Sequence, residues 1–122
     1  MDNESNAVCG FREGLTQDPA DWNLRLIYAD WLENNDREEE AFAQRWMATR
    51  RKCPSYRDDR QHWCWVRAGE GSQVLGDSVF YLLPGARSQY HTINAVWYMN
   101  LQEAEDQLTL ALTQMRKLLE IP

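Results

Sequence analysis

At 122 residues, with 43% apolar and 26% charged positions, the chain has the size and composition of one ordinary globular domain, large enough to bury a core without metal or disulfide staples. Six tryptophans bring enough apolar area to offset ordering entropy, which excludes an intrinsically disordered chain. The net charge of -6 argues against nucleic acid as the first partner, because phosphate binding is driven by Lys and Arg.

That charge is unevenly spread. Residues 1–40 hold eleven acids and three bases, whereas residues 41–67 hold seven bases and two acids. Only the middle block could attract a polyanion. Three cysteines, Cys9, Cys53 and Cys64, make an odd number without dense spacing, which reads as free thiols in a reducing compartment. The polar, acidic start lacks the basic run and apolar stretch of a signal peptide, and no segment approaches the roughly 20 apolar residues of a membrane span. The expectation is a cytoplasmic protein with no membrane segment.

Val8, Phe11 and Leu15 recur at three and four residues and predict a first helix from about Asn6 to Thr16, ended by Asp18-Pro19. Asp18 or Asp21 can cap a second helix that runs to Asn34, where Asn34-Asn35-Asp36 supplies turn chemistry. Its apolar residues cover most of the circumference, leaving a narrow polar strip of Asn23, Asp30 and Asn34, so near-complete enclosure is expected. Asp36 is expected to cap a third helix reaching Lys52, with Phe42, Trp46, Thr49 and Cys53 facing inward. Glu38–Glu40 begin this helix and Arg50–Lys52 end it, which suits the helix dipole.

His62-Trp63-Cys64-Trp65-Val66 fits a short strand whose alternation would aim Trp63 and Trp65 the same way. Gly69, Gly71 and Gly76 mark loops, and Val79–Leu83 fits either a helical turn or a strand. Trp97, Leu101, Ala104, Leu108, Ala111, Met115 and Leu118 predict a last helix from about Thr92 to Glu120. Unbroken, it would be about 42 Å long at 1.5 Å per residue. A break near Asn100 would leave a 20-residue helix that can pack on its own domain.

The stretch from Phe11 to Trp46 carries a Phe-led helix, the turn Asp18-Pro19-Ala20-Asp21 and the run Arg25-Leu26-Ile27-Tyr28-Ala29-Asp30-Trp31-Leu32-Glu33. In these residues the chain resembles the bacterial repeat-companion domain family. The resemblance covers about a third of the chain, with Arg25–Glu33 its most specific part. It implies a helical module, often attached to other sequences, and it carries over no catalytic residue.

Within the motif, Arg25 and Asp30 lie about 140° apart around a helix and cannot pair with each other. Each is expected to tie the second helix to a neighbour through a buried ion pair, with Arg25, Tyr28, Asp30 and Trp31 all structural. Cys53, His62 and Cys64 fall short of the four ligands usual for zinc, so no metal or cofactor is expected. Two histidines, His62 and His91, give no specific nucleophile–base pattern, and Gly69-Glu70-Gly71 lacks the rest of a phosphate loop. The most suggestive surface is basic and aromatic: Arg45, Arg50, Arg51, Lys52, Arg57, Arg60 and Arg67, interleaved with Tyr56, Trp63 and Trp65. Such a mixture can hold single-stranded nucleic acid by charge and stacking, with weak, salt-sensitive binding.

The sequence thus predicts a mainly α fold of four to five helices in one domain over residues 1–122, with room for a short β element around residues 62–83. It comprises a three-helix part at 11–53, an irregular insert at 54–87 and a C-terminal helix at 88–122. Function is expected to be that of a non-catalytic protein-interaction or accessory module, not an enzyme. The alternative is a nucleic-acid-associated accessory protein using residues 45–67. Spacing by sevens along Leu101, Leu108 and Met115 adds the expectation of a homo-oligomer through the C-terminal helix.

Overall fold

The computed structural model describes residues 3–57, 62–67, 94–98 and 100–120. The fold is small and mainly α. Its elements run α1 (Asn3–Gln17), α2 (Trp22–Asn34), α3 (Glu38–Arg50), β1 (Ser55–Arg57), β2 (His62–Arg67), β3 (Asn94–Tyr98) and α4 (Leu101–Glu120). They form two compact units, Met1–Lys52 and Cys53–Pro122. The loops expected at Gly69–Gly76 and the element expected at Val79–Leu83 lie outside the described residues.

The first unit is a three-helix arrangement. Of the two expected caps, Asp18 and Asp21, it is Asp21 that caps α2, accepting a 3.0 Å hydrogen bond from the Leu24 amide. Gly14 lets α1 approach α2 closely, since a β-carbon there would lie 2.8 Å from Leu24 Cδ2. Phe11 stacks on Tyr28 with ring centroids 4.7 Å apart, and its tilted contact with Trp31 is at 6.0 Å. Leu15, Tyr28, Ala29, Leu32, Ala41 and Met47 are the buried heart of this unit.

Three local expectations are corrected here. Asp36 does not cap α3. It takes a left-handed conformation, φ 62°, in the turn, and Arg37 stands at the cap, its guanidinium bound to both Glu40 oxygens at 2.8 Å. The inward face of α3 is Ala41, Gln44 and Ala48 together with Ala43, Trp46 and Met47, while Phe42 and Thr49 face solvent. Small alanines let α2 lie close, and that sets the orientation more than the larger Phe42 does. The helix stops at Arg51, in the left-handed region at φ 55°, whose amide closes on the Met47 carbonyl.

The second unit is an antiparallel sheet in the order β1-β2-β3, with α4 packed on β2 and β3. Trp63 pairs with Tyr98 and Trp65 with Val96. Trp63, Trp65 and Tyr98 are buried, consistent with both tryptophans pointing the same way from the pleat. Trp65 is fully enclosed, and its Nε1 donates a 2.9 Å bond to the Ala104 carbonyl on α4.

The C-terminal helix does not begin at Thr92. Asn94–Tyr98 is a strand, because Ala95-Val96-Trp97-Tyr98 pairs with β2 along its length. The break falls at Asn100, whose Oδ1 caps the new helix by accepting from the Glu103 amide at 2.7 Å. Leu101, Ala104, Leu108 and Ala111 are buried within this unit. Met115, the third position of the expected seam, is half-buried.

Candidate docking surface

The motif Arg25–Glu33 divides cleanly between two sides of α2. Arg25, Tyr28, Ala29 and Leu32 are buried. Arg25 is tied on both sides: Nε donates to the Pro19 carbonyl at 2.9 Å and Nη1 to Gln44 Oε1 at 2.8 Å. The expected link from α2 to its neighbours is present at this residue, and it uses two neutral acceptors. Burial is the first cause that pushes the Tyr28 hydroxyl above its ordinary range.

Asp30 is a correction. Its side chain is 74% exposed and meets Arg45 Nη2 at 2.8 Å, and the same nitrogen meets Glu33 Oε1 at 2.6 Å. Those two carboxylates, Asp30 first, hold the Arg45 guanidinium above its ordinary value. Asp30 therefore lies on the surface and not in the core, because it sits opposite Arg25 on the helix. Removing it leaves a solvated arginine, not a stranded one. Asp30→Ala is expected to cost less than about 1 kcal/mol in chemical denaturation, the range for exposed pairs.

Trp31 is half-buried, and near-complete enclosure of α2 does not occur. Leu26 is 43% exposed and Ile27 58% exposed. Ile27 and Trp31 are one turn apart on the same side of the helix, and Leu26 stands across Asp30 from Ile27. The outer face of α2 is thus two large aliphatic side chains and an indole edge around a carboxylate. An apolar circumference seen in sequence signals enclosure or a binding face, and only packing tells the two apart.

The basic, aromatic strip is divided between the two units, Arg45–Lys52 in the first and Arg57–Arg67 in the second. Arg45 turns to α2, and Arg50 lies over the Trp46 ring of its own helix at 4.8 Å. Arg51 is exposed and Lys52 half-buried. Trp63 and Trp65 are interior residues and cannot stack on bases, which leaves Tyr56 as the exposed aromatic of that segment, in contact with Trp63 at 5.4 Å. Arg57 and Arg67 belong to β1 and β2 by their backbones, and Arg60 lies outside the described residues.

No three His, Cys, Asp or Glu side chains among the described residues converge on a point that could hold a metal ion. No helix among them is long and apolar enough to cross a membrane. Burial, with Glu103 adding to it, pushes the Tyr98 hydroxyl far above its usual range. Sequence reasoning missed Gln44, which is buried against Arg25. Comparisons with protein-family models, curated proteins and solved structures find no match for this chain.

Proposed function

We propose that this protein is a non-catalytic interaction module that receives a protein partner on the outer face of α2. The observation that carries the reading is the exposure of Leu26 and Ile27 beside the half-buried Trp31. Unit 1 buries a core that does not include them, and much of their apolar surface is left exposed. Burying such side chains is worth about 1.5–3 kcal/mol each, and an aromatic among aliphatics is the usual composition of a binding hot spot. The resemblance to the repeat-companion family, carried by Arg25–Glu33, supports the same reading, since it implies a helical module often attached to other sequences. The odd number of cysteines supports a reducing, cytoplasmic setting.

The test is the double variant Leu26→Ser, Ile27→Ser. Both positions are solvated, so its thermal stability is expected to stay within about 1 kcal/mol of the parent. Proteins captured by the tagged parent from its source cells should include one that the variant no longer retains. Identical captured sets for a folded variant would refute the docking face.

A further inference from the structure

The docking face is set in an acidic surround. Between Asp18 and Asp36 the chain carries five carboxylates, and its sole base in that stretch is Arg25. Arg25 is fully buried on the opposite side of α2. The guanidinium that does reach the outer face, Arg45, is shared between Asp30 and Glu33. Two carboxylates against one guanidinium leave the centre of the face negative, directly between Leu26 and Ile27. Asp21 at the N-terminal cap and exposed Asp36 in the following turn extend the same sign to both ends of the helix.

An apolar patch edged by one sign of charge selects a partner with the opposite arrangement, because like charges brought together during docking are costly. A single exposed helix face packs most readily against another helix, whose side chains interdigitate with its own. From this we infer that the occupant of the α2 face is a cationic amphipathic segment of a partner protein, with an apolar stripe edged by Lys or Arg. The inference rests on the docking reading above and adds the chemistry of the partner. Leu26, Ile27 and the edge of Trp31 meet the apolar stripe, and Asp30 and Glu33 exchange part of their pairing with Arg45 for the incoming cations.

The probe is a synthetic leucine–lysine amphipathic peptide, compared with its leucine–glutamate counterpart, titrated calorimetrically into the full chain. The lysine peptide is expected to bind and the glutamate peptide not to. The neutral substitutions Leu26→Ser, Ile27→Ser should weaken binding at least about tenfold without altering charge. Asp30→Asn, Glu33→Gln should also weaken it, and should flatten its dependence on salt, since rim charges act through long-range attraction. Equal binding of both peptides, lost in the serine variant, would overturn the cationic partner and leave the docking face standing. Equal binding of the lysine peptide to parent and serine variant would mark the attraction as diffuse charge and overturn the inference. The docking reading would then fall only if partner capture also ignored the serine substitutions. A concentration-dependent dimer in light scattering, abolished by the serine substitutions, would make a second copy the occupant and overturn the cationic partner.

Discussion

Trp65→Ala is expected to destabilise the Cys53–Pro122 unit by about 3–5 kcal/mol, the usual range for removing a buried large aromatic. Trp65 is fully enclosed, in a unit whose buried face also includes Trp63, Tyr98, Leu101 and Leu108. The indole also donates to the Ala104 carbonyl, so α4 loses a fixed point of attachment to β2. In a domain of 60–100 residues each kcal/mol shifts the melting midpoint by about 4–8 °C, so a fall of more than about 12 °C is expected. Trp65→Phe keeps most of the apolar area and loses the hydrogen bond, so it should cost only about 1–3 kcal/mol. Thermal melts followed by circular dichroism separate the two variants. If Trp65→Ala melts within a few degrees of the parent, Trp65 does not organise this unit.

Trp65 also marks how far the sequence could be read. Local signals fared best. Alternation in His62–Val66 placed Trp63 and Trp65 on one side, Asp21 was one of two expected caps for α2, and a break near Asn100 was one of two readings of the last helical pattern. Features decided by distant pairing were hidden. Trp97 falls four residues before Leu101 and so extends the helical spacing, yet its segment pairs with β2, some thirty residues earlier in the chain. Leu26, Ile27 and Asp30 were misassigned for a related reason. Hydrophobicity around a helix reveals how much apolar surface exists, but not how many neighbours arrive to cover it. Here α1 and α3 cover one side of α2, and the remainder became the candidate docking face. Asp30 was expected inside, and Gln44 carried no expectation. The neutral amide went inside to accept from Arg25, and the charged carboxylate stayed in water, which follows the relative cost of burying each.

That contrast leads to the second large effect. Arg25→Met is expected to cost roughly 1.5–4.5 kcal/mol, from about 1–3 for the buried acceptor it strands and about 0.5–1.5 for the hydrogen bond lost at a half-buried one. The buried acceptor is Gln44 Oε1, at 2.8 Å, and the half-buried one the Pro19 carbonyl, at 2.9 Å. The first ties α2 to α3, and the second pins the turn that precedes α2, so both connections of the helix loosen together. Gln44→Leu is expected to be costly for the converse reason, because it takes an acceptor from a fully buried guanidinium. The double variant should be less destabilised than the two single costs predict. Methionine and leucine fill similar space without polar demands, and replacing a buried polar pair as a unit is often tolerated. A double-mutant cycle in urea is expected to return a coupling between about 0.5 and 3 kcal/mol. Partner capture on the outer face should survive in any variant that remains folded, since Arg25 points away from Leu26 and Ile27. A cycle with no coupling, or an Arg25→Met protein as stable as its parent, would mean that the first residue of the Arg25–Glu33 motif is not the anchor that seats α2, and that its burial has another cause.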